Sequence, residues 1–331
     1  MPQRAALISG SLFALAAGLM WGLGFVAPLL LPAYPAALLS FSRYLAFGLI
    51  ALPLAALDRK ALARLSAADW REALKLSAVG NIVYYLFLAA AIQRAGGPLP
   101  TMIIGTLPVV IAVSANLRDH RRDGRLPWAR LAPSLVLIGA GIALVNHAEL
   151  ARLRADPGAD PLHYALGAVL ALGAVICWTW YPLRNADWLR HHADRSPRTW
   201  ATAQGVATLP LSLVGFLAFW LWNGVSSQPF AMPFGPTPGR FIGLMLAIGL
   251  LASWLGTLCW NEASQRLPTA LVGQLIVFET LSALAYAFLL RRAWPPGATL
   301  AGVALLVAGV VWALRPSGAP SFSDRTLPPG P

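Results

Sequence analysis

The sequence predicts an all-α membrane protein of ten transmembrane helices, arranged as two inverted five-helix repeats, and three observations predict it. The chain is 57% hydrophobic and only 11% charged, with a mean hydropathy of +0.63, whereas soluble domains carry about a quarter charged residues. Its apolar residues fall in long runs joined by loops that alternate in Arg and Lys content. Two stretches in the first half also recur in the second.

Each run is measured against the length of a crossing, about 20 residues at about 1.5 Å per residue. The spans are Ala6–Leu30, Pro35–Leu57, Leu76–Ile92, Leu99–Asn116, Leu131–Asn146, Tyr164–Leu183, Trp200–Trp222, Phe241–Trp260, Thr269–Leu290 and Thr299–Leu314. From Arg315 the tail is rich in Pro, Gly and Ser, which predicts a disordered end over 316–331. Met1–Ala5 leads straight into a full-length span, a pattern unlike a cleavable signal peptide.

Charge sets the expected orientation. The second, fourth and sixth loops are basic (Arg59, Lys60, Arg64, Arg71 and Lys75; Arg118, Arg121, Arg122, Arg125 and Arg130; Arg184, Arg190, Arg195 and Arg198). With the termini and the eighth loop, 18 of the 25 basic residues lie on one side and 6 on the other, Arg43 being inside a span. The positive-inside rule puts the richer side, and both termini, in the cytoplasm. The net charge of +12 is accounted for by these loops and points away from nucleic acid. Cys177 and Cys259 lie inside spans, which excludes a secretory disulfide framework, and no span carries a lysine for a Schiff base.

Gly10–Gly22 (GSLFALAAGLMWG) resembles Gly167–Thr179 (GAVLALGAVICWT) at an offset of 157, placing Trp21 over Trp178. Ile92–Pro100 and Ser264–Val272 share a Gln-Arg pair at an offset of 172. The expected units are residues 1–150 and 160–315. Five helices per unit is an odd number, so the second unit would be inverted relative to the first.

Within Thr269–Leu290, Glu279 is the one acid near the middle of a span, and Arg43 is the one cation inside any span. A carboxylate at that depth costs several kcal/mol unless paired, hydrogen-bonded or protonated, so it marks a candidate site. By helix rise Arg43 lies about 12 Å and Glu279 roughly 16 Å from the outer ends of their spans, within reach of each other. A structural ion pair, or a carboxylate capping a broken helix, is the alternative to solute or proton binding.

In the third span Asn81, Tyr84, Tyr85 and Leu88 share one helical face, and the offset of 172 places Ser253, Gly256, Thr257 and Trp260 on the matching face of the eighth. Such faces suit a shared cavity in which amides and hydroxyls bond a solute and aromatic rings stack on it or cover a cation. Bonding between helices is the structural alternative. Trp21 and Trp178 would close the cavity, although tryptophan also marks membrane interfaces and Trp178 stands near the end of its span. Gln204 and Gln274 are further polar side chains in apolar runs, and Gly105 and Pro108 mark a kink in the fourth span. The cavity is expected among the first, third, fourth, sixth, eighth and ninth spans.

Several segments resemble the drug/metabolite transporter superfamily, in particular its EamA-type ten-helix members. They are LMWGLGFVAPLLL in the first span, ALLSFSRYLAFGLIAL with Arg43 in the second and MIIGTLPVVIAV with Pro108 in the fourth. VICWTWYPL, FETLSALAYAFLL and GVALLVAGVVWAL carry it through the second half. The family usually reads Glu-Pro in both the fourth and ninth helices; here Leu107-Pro108 keeps the proline and Glu279-Thr280 the acid. The resemblance implies a carrier of small metabolites, commonly an exporter of amino acids or related compounds, in the bacterial inner membrane.

The expected function is secondary transport by alternating access, with protons as a candidate coupling ion at Glu279. Exchange or facilitated diffusion without a proton is the alternative within transport, and a membrane enzyme or scaffold the alternative outside it. All five histidines lie in loops, and no nucleotide-binding or hydrolase motif occurs. No catalytic residue, metal or cofactor is expected. The partners are a small-molecule substrate and the bilayer, with the chain a monomer or homodimer.

Overall fold

A computed structural model describes residues 2–95, 98–118, 127–154, 161–227, 229–292 and 294–314. Every regular element among these residues is helical. The rods are α1 (Pro2–Trp21 and, after Gly22, Leu23–Leu30), α2 (Ala36–Leu57), α3 (Ala67–Leu76, Ser77–Val83 and Tyr84–Ala95), α4 (Pro98–Ile104 and Leu107–Leu117) and α5 (Trp128–Arg154). They continue with α6 (Pro161–His191), α7 (Pro197–Gly224), α8 (Pro238–Ile248, Gly249–Leu255 and Gly256–Arg266), α9 (Thr269–Leu275 and Val277–Arg291) and α10 (Gly297–Ala313). The one-turn helix Arg59–Leu62 joins α2 to α3.

Among the described residues, seven stretches are long and apolar enough to cross a membrane: Ala5–Leu30, Ala36–Leu57, Ala67–Ala95, Leu162–His191, Pro197–Gly224, Pro238–Arg266 and Thr269–Leu290. The apolar helices Leu107–Leu117, Leu131–Val145 and Gly297–Ala313 are shorter. Large apolar side chains such as Val169, Ile176, Val214 and Leu221 face outward, while Asn185, Gln204 and Asn261 are fully enclosed. This arrangement, apolar outside and polar inside, suits a hydrocarbon solvent.

Local sequence explains where the rods start. Proline opens α4, α6, α7 and α8 and immediately precedes α2, α9 and α10. There its missing N–H costs nothing, because the first turn has no intrahelical acceptor. A capping box starts α3: the Ser66 hydroxyl accepts from Asp69 N, and the Asp69 carboxylate accepts from Ser66 N at 2.8 Å.

Two helix ends lie past expectation, and one expected segment is not described. Helix α6 runs to His191, so Arg184 and Arg190 lie on it and Trp178 is well inside it, away from an interface. Helix α5 extends to Arg154, past the expected Asn146. The expected tail 316–331, with Arg121, Arg122 and Arg125 of the fourth loop, lies outside the described residues.

Two rods are deformed in the same way. Ser77–Val83 in α3 and Gly249–Leu255 in α8 are seven-residue π-helical segments, with wider turns and i→i+5 bonding. Such turns are rare and free a backbone carbonyl from the usual ladder. Their first residues are separated by 172 positions, the offset of the Gln-Arg match.

Packing pairs α5 with α10, α2 with α7, and α6 with the last part of α3. It also pairs α1 with the last part of α8, and the second half of α4 with the first half of α9. Helix α3 begins where Asp69 meets Trp188 and His192 at the end of α6, and ends where Gln93 meets the Tyr34 carbonyl. Helix α8 begins beside Tyr34, through Thr237 and Phe241, and ends where Gln265 meets the Arg195 carbonyl. The two helices therefore run in opposite directions across the bundle.

The α5–α10 contact depends on glycine. A Cβ on Gly141 would sit 2.7 Å from the Gly302 carbonyl, and one on Gly302 would sit 2.8 Å from the Gly141 carbonyl. Two rods 8–10 Å apart at an ordinary contact come closer here because neither carries a side chain. Ser134 adds a hydrogen bond to the Gly309 carbonyl at 2.8 Å. We predict that Gly141→Leu destabilises the purified protein by about 1–3 kcal/mol, seen as a lower Tm in detergent. Gly139→Leu, at a position with open space around it, leaves Tm nearly unchanged.

Candidate functional site

Arg43 sits on α2 and is almost fully buried. An unpaired guanidinium at this depth must be solvated by protein groups. Nε donates to Ser253 Oγ at 3.1 Å and Nη2 to the Ala252 carbonyl at 3.2 Å. Both acceptors lie in the π-helical segment of α8, so the wide turn supplies the carbonyl that the cation needs. The guanidinium also lies over the Tyr85 ring at 4.3 Å and the Tyr44 ring at 5.0 Å. A side chain at Gly24 would come 3.1 Å from Nη1, so the glycine on α1 keeps that side of the cation open.

Glu279, also buried, is held differently. Helix α9 breaks at Ile276, and Glu279 falls in the first turn of Val277–Arg291 with its N–H on the Ile276 carbonyl at 2.9 Å. Glu279 thus sits in the first turn of a half-helix inside the bundle, where the helix dipole favours a negative charge. Close packing fixes this break: a Cβ on Gly18 of α1 would meet the Glu279 nitrogen at 2.8 Å. Tyr84 donates to Oε1 at a long 3.5 Å. Oε2 completes no full hydrogen bond, and the indole N–H of Trp178 on the same cavity wall is the group that approaches the carboxylate. Arg43 and Glu279 form no ion pair within 4.0 Å.

Both charges line one cavity with Trp21, Gly24, Phe25, Tyr44, Asn81, Tyr84, Leu88, Trp178, Ala252, Ser253 and Thr257. Its walls are largely aromatic. Trp178 stacks between Tyr84 (4.5 Å) and Tyr181 (4.8 Å), and Trp21 meets it edge-on at 5.1 Å. The free volume is about 20 Å³, room for a single water. A metabolite enters only if these rings and helices move apart.

The structure thus brings Trp21, Arg43, Asn81, Tyr84, Trp178, Ser253, Thr257 and Glu279 to one cavity. It places the other expected residues elsewhere. Tyr85 lies behind Arg43 and donates to the Gly24 carbonyl at 2.9 Å, since the wide turn before it changes the helical register. Trp260 packs behind Trp21 at 5.0 Å, and Gln274 is buried in the first half of α9 with its Nε2 unpartnered. Gly105 and Pro108 mark a true break in α4, yet Pro108 stands in the first turn of the new half-helix and removes no interior bond. Among the described residues, the fourth helix contributes nothing to the cavity wall. The second does so, through Arg43 and Tyr44.

A polar chain that the sequence reading missed runs from the cavity into α6, α7 and α8. Asn81 Nδ2 donates to Thr208 Oγ1 (3.3 Å), and Thr208 Oγ1 to the Gln204 carbonyl (2.6 Å). Gln204 and Trp200 both donate to Asn185 Oδ1, at 3.1 and 2.8 Å, and Asn185 donates to Asn261 Oδ1 at 2.8 Å. Beyond it, at the α6 end of the bundle, Arg184 forms a two-point ion pair with Glu72 (2.5 and 3.1 Å), and Arg118 pairs with Asp187. Amides in apolar runs were the available signal for this chain. Ending the sixth span at Leu183 hid Asn185.

Comparison with known proteins places this site in a family. The chain is 57% identical over 309 residues to the inner membrane protein YtfF of Escherichia coli (strain K12), covering 93% of this chain and 96% of that one. A solved crystal structure of another protein superposes with a TM-score of 0.67 at 20% identity, covering 92% of this chain and 96% of its own, which shows a shared fold. Residues 8–146, which carry Trp21, Arg43, Asn81 and Tyr84, match the EamA-like transporter family. The chain is a membrane protein that belongs to the EamA-like transporter family.

Proposed function

We propose that this protein is a secondary transporter of the inner membrane that moves a small polar or amphipathic metabolite, such as an amino acid or related compound, by alternating access. One observation carries this reading: a guanidinium and a carboxylate line the same small cavity without forming an ion pair. A zwitterionic solute matches both, its carboxylate at Arg43 and its ammonium at Glu279 and the aromatic faces. Aromatic walls and a single inward cation fit such a solute better than a phosphorylated sugar. Export and inner-membrane placement rest on the family resemblance and on the similarity to YtfF. The cavity is complete within one chain, which supports a monomer as the working unit, whether or not it dimerises.

The ten-crossing, inverted-repeat arrangement belongs to the same proposal. Exchanging the halves leaves the α2–α7, α4–α9 and α5–α10 pairs unchanged and converts α1–α8 into α6–α3, which is the packing pattern found. The matched wide turns and the opposite directions of α3 and α8 support the same exchange. Under the positive-inside rule the face carrying Arg184, Arg195 and Arg118 is cytoplasmic. Proton coupling through Glu279 completes the reading. Its alternative, exchange without a proton, keeps the same cavity.

A thermal-shift screen of the purified protein against a metabolite panel, followed by flux in proteoliposomes, tests the proposal. Zwitterionic solutes are expected to raise Tm and to be transported; hits confined to uncharged or multiply phosphorylated solutes would overturn the substrate assignment. Glu279→Gln is expected to abolish stimulation of flux by an imposed pH gradient and to weaken binding of an ammonium-bearing solute, while counterflow persists at raised solute concentration. Wild-type flux with unchanged pH dependence would remove the proton role. Arg43→Gln is expected to weaken binding of a carboxylate-bearing hit about tenfold to a hundredfold, and to leave a solute lacking the carboxylate unaffected.

A further inference from the structure

The Gln-Arg match at an offset of 172 is not used by the cavity, yet both glutamines make equivalent bonds. At the end of α3, Gln93 Nε2 donates to the main-chain carbonyl of Tyr34, in the connection from α1 to α2. At the end of α8, Gln265 Nε2 donates to the main-chain carbonyl of Arg195 at 3.2 Å, in the connection from α6 to α7. Each amide thus ties the end of a wide-turn helix to the first connection of its own unit, in the same relative position. The two bonds lie on opposite faces, because α8 starts beside Tyr34 and ends at Arg195, 29 residues later, roughly 40 Å away.

Each tethered connection also closes a face. Tyr34 is clamped under the α7–α8 connection: its hydroxyl donates to the Phe234 carbonyl at 2.9 Å, accepts from Thr237 N at 2.9 Å, and its ring stacks on Phe241 at 4.9 Å. On the other face, His192 stacks on Trp188 at 4.4 Å and reaches Asp69 at 3.3 Å, and Trp188 stacks on Trp200 at 3.4 Å. Contacts thus bridge both faces around a cavity with room for one water, and on each face the glutamine amide is one of them.

We propose that Gln93 and Gln265 are paired latches, one for each face, and that alternating access proceeds by releasing one while the other holds. This rests on the transporter reading above. A side-chain amide bonded to a loop carbonyl at an exposed position suits the role. Its net contribution is small, so breaking it shifts an equilibrium without unfolding the bundle.

Spin-label distance measurements on the full chain in nanodiscs, with Cys177 and Cys259 replaced by Ala, test this directly. One label pair spans the Tyr34 face (Ala33 and Arg94), and the other spans the Arg195 face (Ala193 and Arg266). Gln93→Ala is expected to raise the open-to-closed ratio at the Tyr34 pair about two- to fivefold, the shift expected for one such bond, and to leave the Arg195 pair closed. Gln265→Ala is expected to do the reverse, and Gln→Glu at either position to resemble Ala, since a carboxylate cannot donate to a carbonyl. If neither variant moves its own face, or each loosens both faces equally with a falling Tm, the latch assignment is overturned. A wild-type protein whose two faces open together would instead overturn alternating access itself, a distinct result.

Discussion

A buried cation and a buried anion are kept apart in this bundle, and the helices are deformed to hold each one separately. Charge in a low-dielectric interior is tolerated only where polar groups replace water. Arg43 takes its acceptors from the wide turn of α8, and Glu279 takes the N-terminal end of a half-helix from the break in α9. Holding them apart keeps a guanidinium and a carboxylate oxygen free to meet a solute.

The surrounding packing follows from that requirement. Gly18 lets α1 approach the backbone at Glu279, and Gly24 leaves space beside Arg43. Gly80, within the wide turn of α3, receives the Tyr181 ring in a space no side chain could share. Tyr181 in turn stacks on Trp178, which forms the cavity wall. Small residues in the spans thus serve the aromatic walls as much as they serve helix–helix contact. The amide chain from Asn81 to Asn261 gives the interior polar continuity from the cavity toward the Glu72–Arg184 face, which becomes a wettable route if those helices separate.

Residues that contrast with an apolar background were legible in the sequence. Arg43, Glu279, Asn81, Ser253, Thr257 and the matched Trp21 and Trp178 stand out by type, and the structure gathers them. Breaks in periodicity were less legible. Neither SAVGNIV nor GLLASWL contains a proline, and nothing local in either announces a wide turn, yet that turn rotates Tyr85 behind Arg43 and presents Ala252 O to the cation. The break at Ile276 is also unmarked, whereas that in α4 carries Gly105 and Pro108. Arg184 and Asn185 were assigned to a loop because the helix becomes polar where its neighbours, not lipid, surround it. Burial among polar partners is a tertiary property, which hydropathy along one chain does not register.

The central claim is that Glu279 faces a solute-accessible pocket at mid-bundle. Labelling by an apolar carbodiimide, mapped by mass spectrometry with and without a transported solute, tests it most directly. Modification concentrated at Glu279 and slowed in proportion to occupancy by the solute is the predicted result. Labelling at Glu279 that proceeds at the same rate with the solute saturating would contradict it.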